Sequence, residues 1–355
     1  MKKQKVLFFL PQMAGGGAEK VTINIMKLLD KKYFEVYLVT LSDKGPAMAN
    51  VPKDIHIHIL DVKKTLFSFF KLRKKITEIN PDIVFSSLFR GNIALVVALT
   101  WSKLKPYIIL RSPNSPKLLI ANNELSRIMK YLIEFTYTKC DQIIAQTPEM
   151  REEIINFHGI NPDKIKVLLN PIDQQDIDNK TVNSVSPYDS ENINVIAAGR
   201  LHHQKGFDIL IESFAHVITK NPNFKLFIIG EDVSGERISL EQKVKDLNLE
   251  NHITFLGYQS NPYPYFKFAD VYVLSSRWEG LPNTVLESLY LNTPVISTKC
   301  IPFLSKLIHD GDNGYLVEVE DIHGLSNVIL KTKEIKRIFS STVDSKKELN
   351  EIFTN

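Results

Sequence analysis

Short runs of β-branched and aromatic residues recur along this 355-residue chain, with amphipathic stretches between them. This alternation predicts parallel strands joined by helices, and strands that are apolar along their whole length indicate a sheet covered on both faces. The predicted strands are Val6–Leu10, Val36–Leu41, Ile55–Leu60, Ile83–Ser86, Tyr107–Leu110, Gln142–Ala145, Ile165–Leu168, Asn194–Ala198, Lys225–Ile229, Ile253–Leu256, Val271–Leu274 and Pro294–Ser297. The sequence therefore predicts an α/β fold.

Residues 173–192 interrupt this pattern with turn-forming residues and few aliphatic ones, as expected of a linker. After these residues a new strand is followed directly by a helix, so the alternation of strands and helices begins again. We expect two Rossmann-like, doubly wound domains facing each other across a cleft, residues 1–172 and 193–355, with the last helix able to pack back on the N-terminal domain. Ligands of such sheets bind at the carboxyl ends of the strands.

Composition excludes several classes of protein. With 44% hydrophobic and 24% charged residues the chain is globular, and two cysteines are too few for a disulfide framework or a four-ligand zinc site. The apolar run Val6–Leu10 is too short for a signal peptide, and Ile93–Trp101 falls below the ~18 residues of a membrane-spanning helix. These features predict a cytoplasmic protein.

Glycines follow the first strand, where Gly15, Gly16 and Gly17 precede a helix. Such a turn lets the backbone approach a ligand, and the helix start offers free N–H groups to an anion. The spacing fits neither a dinucleotide motif nor a P-loop, and a plain tight turn accounts for it equally well.

The strand Asn194–Ala198 is followed by Arg200 and Lys205. Two fixed cations at one strand end can neutralise a diphosphate without a metal, Arg by forked hydrogen bonds and Lys as a point charge. Without further context they are better explained as solvated surface cations.

The segment after Val271–Leu274 carries the strongest signal. Strand, turn and helix follow in order, with Pro282 suited to the first helical position and Asn283 and Thr284 exposing early N–H groups. Glu279 precedes the helix and Glu287 lies inside it. Two carboxylates at different depths of one pocket suit the recognition of sugar hydroxyls.

The motifs GGGAE, GRLHHQKGFD and EGLPNTVLES, followed by NTPVIST and DGDNGYLV, resemble the retaining nucleotide-sugar glycosyltransferases of family 4, which have the GT-B fold. The segment from Asn261 to Ser288 is similar to the branch that builds lipid-linked bacterial surface glycans, including N-acetylhexosaminyltransferases. The resemblance spans Gly15 to Val317.

This resemblance implies that Arg200 and Lys205 bind the donor diphosphate, Glu287 the ribose and Glu279 the transferred sugar, and that Gly16 and Gly17 approach the distal phosphate and sugar. The catalytic residues would be Glu279, Arg200 and Lys205. The remaining donor-binding residues would be Gly280, Leu281, Pro282, Asn283 and Thr284.

The implied activity is transfer of a hexose or N-acetylhexosamine from a nucleotide-diphosphate sugar, UDP-linked, to a lipid-linked or surface-polysaccharide acceptor with retention. No cofactor or catalytic metal is expected, because the D-x-D strings Asp176–Asp178 and Asp310–Asp312 end no core strand. The alternatives are a nucleotide-sugar epimerase of the same fold and a non-catalytic sugar-nucleotide-binding subunit.

Two departures from the family pattern concern substrate recognition. Lys306 occupies the position where many members have an acidic residue, and this difference concerns recognition of the donor sugar. A histidine found after the fourth strand in many members is absent here, and Arg90, Asn92, Arg111 and Asn114 are candidate polar replacements on the acceptor side. A structural role explains these four residues equally well.

The first half of the chain is basic, with 26 Lys and Arg against 15 Asp and Glu up to Ile172, whereas the second half has 18 against 25. Residues 63–76 interleave aromatic and cationic residues at helical spacing. Such a helix can lie on an anionic membrane surface, or its apolar residues Leu66, Phe69, Phe70 and Ile76 can pack on the sheet. Nucleic acid is not an expected partner, since no binding module accompanies the cations.

Overall fold

The computed structural model describes residues 2–100, 102–115, 126–339 and 346–354, without the side chains of Leu66 and Arg127. The chain separates into two compact units. One contains the described residues up to Asp173 together with the C-terminal helix, and the other contains the described residues from Gln174 to 339.

The first unit is built on a seven-stranded parallel sheet in the order β3-β2-β1-β4-β5-β6-β7. Its strands are β1 (Gln4–Phe9), β2 (Phe34–Thr40), β3 (His56–Ile59), β4 (Ile83–Ser86), β5 (Tyr107–Arg111), β6 (Gln142–Ala145) and β7 (Ile165–Val167). Its helices are α1 (Gly17–Leu28), α2 (Phe69–Ile79), α3 (Phe89–Thr100), α4 (Arg127–Lys139), α5 (Pro148–His158) and the C-terminal α12 (Lys346–Thr354). Two apolar clusters pack on the sheet, as expected when both faces are covered.

The second unit has a six-stranded parallel sheet in the order β10-β9-β8-β11-β12-β13. Its strands are β8 (Ile193–Ala198), β9 (Phe224–Ile229), β10 (Ile253–Gly257), β11 (Val271–Leu274), β12 (Val295–Thr298) and β13 (Gly314–Val317). Its helices are α6 (Gln174–Thr181), α7 (Phe207–Lys220), α8 (Arg237–Asp246), α9 (Tyr263–Phe268), α10 (Asn283–Tyr290) and α11 (Ile322–Leu330).

The twelve predicted strands are confirmed, with ends that agree or differ by at most two residues, and β13 is a further strand that the sequence analysis missed. It pairs in parallel with β12, where Val295 lies opposite Gly314. Room for this pairing depends on Gly314, because a Cβ there would lie 1.8 Å from the carbonyl oxygen of Val295. The α/β class with two Rossmann-like sheets is confirmed.

Part of the segment expected to be a linker forms helix α6. The helix is held within the second unit, because Asn261 Nδ2 donates to Lys180 O at 3.2 Å, Lys267 Nζ to Thr181 O at 2.9 Å and Tyr290 to Asp178 at 2.9 Å. The helix therefore belongs to the folded body of the second unit.

The C-terminal helix α12 packs in the first unit. Phe353 is fully buried there, and its ring centroid lies 6.0 Å from that of Phe8, 5.9 Å from that of Phe85 and 6.4 Å from that of Phe34. Asn350 also accepts a hydrogen bond from the backbone of Asp30. The first unit is thus completed by residues from the far end of the chain.

Both strand orders reverse direction at one point, between β1 and β4 in the first sheet and between β8 and β11 in the second. Such a switch point opens a crevice at the carboxyl ends of the two central strands. The glycine-rich turn follows β1, the Arg200–Lys205 turn follows β8 and the Glu279 turn follows β11. Among the described residues, no helix combines the length and the apolar character needed to cross a bilayer.

Candidate functional site

Two turns meet at the switch point of the second sheet, because β8 and β11 are hydrogen-bonded neighbours. The first turn ends at Gly206, whose φ of +62° is left-handed. A Cβ on Gly206 would lie 2.2 Å from the carbonyl oxygen of Ser275 in the second turn, so the close approach requires glycine. The stem of Lys205 passes over Gly199, where a Cβ would come within 2.9 Å of it.

Lys205 and Glu279 are brought together although 74 residues separate them. Lys205 Nζ lies 2.5 Å from Glu279 Oε1, and the same oxygen accepts a hydrogen bond from Ser276 Oγ at 2.8 Å. Their side chains are 16% and 10% exposed, so the pair is largely shielded from water. A partly buried ammonium beside a fixed carboxylate is a preorganised polar site, whose charges are held in place before a ligand arrives.

Glu287 and Tyr272 lie deeper in the same part of the unit. Glu287 is 1% exposed, and the Tyr272 hydroxyl lies within hydrogen-bond distance of Thr284 Oγ1, at 2.7 Å, and of Ala198 O, at 3.3 Å. Burial raises the pKa of Tyr272 well above its ordinary value; the hydrogen bond with Thr284 opposes this, while the charges of Glu279 and Glu287 add to it. The Tyr272 hydroxyl thus interacts electrostatically with both carboxylates.

Arg200 differs from Lys205 in its surroundings. Its side chain is exposed, and no described residue pairs with it. The two cations therefore leave the same strand end in different states, one ion-paired and one open to a ligand.

The other predicted donor-binding residues form the entry to α10. Gly280, Leu281 and Pro282 are buried, whereas Asn283 and Thr284 are half-buried. The helix begins at Asn283, one residue later than expected, and Pro282 takes the N-cap position. The backbone N–H groups of the first helical turn point away from the helix and can bind a negatively charged group.

An acidic side chain of α1 packs against the glycine-rich turn of the first unit. Gly15 has φ of +86°, and Gly16 is the N-cap of the helix. Glu19 is 4% exposed and folds back over the turn, where it accepts from Gln12 Nε2 at 3.2 Å and would lie 2.7 Å from a Cβ on Gly16. Glu19 thus fills the space beside Gly16, and the ligand roles of Gly16 and Gly17 stay predictions.

The four acceptor-side candidates occupy different environments. Arg90 is exposed and Asn114 is half-buried, whereas Asn92 and Arg111 are buried. Asn92 Nδ2 donates to Arg111 O at 3.2 Å, and Arg111 Nη2 donates to Asn170 Oδ1. The structure therefore brings Asn92 and Arg111 together inside the unit, and only 2% of Arg111 is exposed at its surface.

Arg111 is a buried cation that pairs with no described carboxylate. Burial lowers its pKa to about 9, because the charged form is poorly solvated there. Its folded-state pKa lies below the ordinary value, so the charge opposes folding at neutral pH.

Arg111→Met is expected to raise the free energy of unfolding by about 1–2 kcal/mol, since an apolar side chain of similar length removes an uncompensated buried charge. Urea denaturation at pH 7 measures this. Arg90→Met, at an exposed position, is the control and should leave stability unchanged; a loss of stability in Arg111→Met would contradict the expectation.

The acids of the two D-x-D strings make contacts with cations and backbone. Asp176 pairs with Lys180 at 2.8 Å and Asp312 with Lys336 at 2.9 Å, while Asp310 accepts from the backbone of Leu316. Among the residues that the structure describes, no group of three or more potential ligands could hold a metal ion.

Several residues near the site escaped the sequence analysis. Ser276 contacts Glu279, and Thr298 Oγ1 donates to Ser276 O at 2.5 Å. Cys300 is buried, which raises its thiol pKa to about 12; the charge of Glu279 adds to this, whereas Thr298 and the charge of Lys205 oppose it. Cys300 thus lies near the Lys205–Glu279 ion pair. Lys306, the residue that departs from the family pattern, is exposed and has its ammonium 5.4 Å from the ring of Phe303.

The aromatic and cationic stretch 63–76 does not bury all of its apolar residues. Ile76 is buried and Phe69 is half-buried, but Phe70 is 71% exposed and the preceding Phe67 is 69% exposed. The packing expected for Phe70 is therefore wrong, because the buried face of α2 runs through Leu72, Ile76 and Ile79. The side chain of Leu66 lies outside the described residues.

Two family models match the chain in succession. The glycosyltransferase family 4 model matches residues 15–176, and the glycosyl transferases group 1 model matches residues 178–345. A Campylobacter jejuni N-acetylgalactosamine-N,N'-diacetylbacillosaminyl-diphospho-undecaprenol 4-alpha-N-acetylgalactosaminyltransferase is 30% identical over 332 residues, which cover 90% of this chain and 87% of the relative. A second N-acetyl-D-galactosaminyltransferase of that organism, which acts on a diphospho-undecaprenol-linked glycan, is 29% identical over 89% of this chain and 85% of its own length.

Solved structures share the fold. Anabaena HepE, in complex with UDP and glucose, superposes with a TM-score of 0.80 at 18% identity, covering 99% of this chain and 98% of HepE. The lipopolysaccharide outer core galactosyltransferase WaaB gives a TM-score of 0.69 at 20% identity, with 99% of both chains covered. These likenesses agree with the GT-B type of fold.

Proposed function

This chain belongs to the GT-B glycosyltransferases of the family 4 and group 1 type, and we propose on that premise that it transfers a hexose or N-acetylhexosamine from a UDP-sugar to a lipid-linked or surface-polysaccharide acceptor. The acceptor class is proposed from the C. jejuni relatives, and UDP from the ligand of HepE. The relatives do not favour an epimerase or a non-catalytic subunit.

The observation that carries the proposal is the partly buried ion pair of Lys205 and Glu279 at the ends of two adjacent central strands. On this proposal Lys205 and Arg200 bind the donor diphosphate, Glu279 contacts the transferred sugar and Glu287 the ribose hydroxyls. Negative charge grows on the diphosphate as the glycosidic bond breaks. Cations already in position therefore stabilise the transition state more than the bound substrate.

Metal independence and retention are part of the proposal. Arg200 and Lys205 are proposed to contact the leaving diphosphate where a divalent ion would otherwise bind it. Retention is proposed from the family resemblance alone, and no protein nucleophile is assigned.

The deciding experiment measures UDP release by the purified chain from UDP-N-acetylhexosamines and UDP-hexoses, with and without a polyprenyl-diphosphate-linked glycan, in the presence of EDTA. We expect release that depends on the acceptor, survives EDTA and yields an α-linkage by NMR. Interconversion of sugars without acceptor would indicate an epimerase, and binding without turnover a non-catalytic subunit. Loss of all turnover in EDTA, restored by a divalent ion, would refute the metal-independent form.

A membrane surface is proposed as the second partner. Phe67 and Phe70 are exposed, and the exposed cations Lys63, Lys64 and Lys74 lie in the same segment. Aromatic side chains that enter the headgroup region beside cations are the usual features of a peripheral contact with anionic lipid. Such a contact would bring the protein to a lipid-linked acceptor.

Replacing both aromatics, Phe67→Ser with Phe70→Ser, is expected to weaken binding to vesicles containing phosphatidylglycerol by about tenfold or more, because each buried aromatic contributes about 1.5–3 kcal/mol. Cosedimentation measures the effect. Ile238→Ser, at a position 78% exposed in the second unit, is the control. Equal binding by the double variant and the unmutated chain would contradict the contact.

A further inference from the structure

One arginine joins the two turns of the site. The carbonyl oxygens of His203, Gln204 and Lys205 each accept a hydrogen bond from the Glu279 turn: from Arg277 Nη1 at 2.7 Å, from the Arg277 backbone N–H at 2.8 Å and from Ser275 Oγ at 2.9 Å. Arg277 supplies two of these three donors. Its side chain therefore holds His203, two residues before Lys205, while its backbone N–H holds Gln204 and lies two residues before Glu279.

The guanidinium is itself fixed from two further directions. Arg277 binds Asp208 with both ends of its fork, Nη1 to Oδ1 at 2.9 Å and Nη2 to Oδ2 at 2.8 Å, and its Nε donates to Glu320 Oε1 at 2.9 Å. Asp208 lies in the first turn of α7, directly after the Lys205 turn. Planar, bidentate pairing of this kind fixes orientation as well as distance.

Gln204 completes the connection in the opposite direction. Its side chain is buried and its Nε2 donates to Trp278 O at 2.8 Å, one residue before Glu279. The turns are therefore tied to each other in both directions by the residues that directly precede Lys205 and Glu279. These contacts leave no role for Arg277 as a direct ligand, since its side chain is 11% exposed and engaged with protein groups.

We propose that Arg277 is a positioning residue for sugar transfer, which sets the place of Lys205 relative to Glu279 by bridging the two turns through Asp208 and the carbonyl of His203. The inference rests on the proposed function, because Lys205 and Glu279 act on the donor only there. Its physical basis is that displacing a catalytic group by about 1 Å costs about 10²-fold in rate.

The test compares Arg277→Gln with the unmutated chain in two measurements, kcat for transfer and the Kd of UDP by calorimetry. We expect kcat to fall by about 10²-fold with the KM for the donor nearly unchanged, since misplacement matters most when charge develops on the diphosphate. UDP carries that developed charge, so its affinity should also fall. Arg237→Gln removes an exposed Arg–Glu pair of the same unit and is the matched control.

Two further measurements separate positioning from general destabilisation. Millimolar guanidinium should restore part of the activity of Arg277→Ala, and ammonium should not, because only a planar fork fits Asp208. In a Lys205→Met background the Arg277→Gln substitution should lower kcat little further, since residues that act through one another are not additive.

An Arg277→Gln variant with unchanged kcat and UDP affinity overturns the inference, as does an undiminished effect of the substitution in the Lys205→Met background. If Arg277→Gln does not fold, Asp208→Asn, which keeps a neutral partner for the fork, replaces it and should lower kcat several-fold. If the unmutated chain binds UDP without turnover, the proposed function fails while the UDP measurement still decides the role of Arg277. No UDP binding by the unmutated chain refutes both.

Discussion

Lys205→Met is expected to lower kcat for sugar transfer by about 10²- to 10³-fold, the usual loss when one preorganised donor to a developing charge is removed. The side chain keeps its length and apolar stem over Gly199 but loses the ammonium that lies 2.5 Å from Glu279. Because the diphosphate gains charge as it leaves, kcat should fall more than the affinity for the intact donor. Steady-state kinetics with varied UDP-sugar measure both.

The substitution also leaves Glu279, 8% exposed, without its cation, so a loss of stability must be distinguished from a loss of catalysis. Arg200→Met provides that distinction, because Arg200 is exposed and pairs with no described residue. It should lower transfer while the melting temperature stays the same. Lys243→Met, which removes an ion pair with Glu212 elsewhere in the unit, is the control. Full activity in both Lys205→Met and Arg200→Met would refute the donor-site assignment.

Gly206→Ala is expected to lower the free energy of unfolding of the second unit by about 3 kcal/mol. The left-handed φ of +62° costs a residue with a Cβ about 1–2 kcal/mol, and a Cβ 2.2 Å from Ser275 O adds an overpacking cost of about 1–3 kcal/mol. Because relief of the clash separates the two turns, transfer should fall as well. Urea denaturation and kinetics measure the two effects.

Gly235→Ala separates the two contributions. Gly235 is also left-handed, with φ of +78°, but no atom lies within 4 Å of its added Cβ. It should therefore lose only about 1 kcal/mol. Equal losses for the two substitutions would show that the close approach at Ser275 contributes nothing.

Periodicity predicted most of the fold because its strands are apolar on both faces. Strand β13 escaped since it is four residues long, begins with a glycine and leaves Tyr315 and Leu316 half-buried. Helix α6 was not predicted, because its residues are mostly polar and only Ile177 and Thr181 are buried. In both cases tertiary contacts, rather than local pattern, decide the structure.

The candidate site could be predicted as a set of residues but not as an arrangement. The motifs single out Arg200, Lys205, Glu279 and Glu287, yet the ion pair of Lys205 and Glu279 arises only because β8 and β11 are neighbours. Arg277 carried no signal of its own, since its contacts are to backbone carbonyls and to residues 43 and 69 positions away. A position that works by joining two distant turns has no local sequence signature.

The aromatic contacts of Phe353 bear on how this protein is made. Phe8, Phe34 and Phe85 emerge from the ribosome more than 260 residues before their partner, so the first sheet waits through synthesis of the whole second unit with an apolar surface open to solvent. Domains usually fold in the order in which they leave the ribosome. Here the first unit leaves first, but its core is completed only after the second unit has been made. At this surface a newly made chain is therefore open to aggregation and proteolysis until helix α12 has been synthesised and has packed.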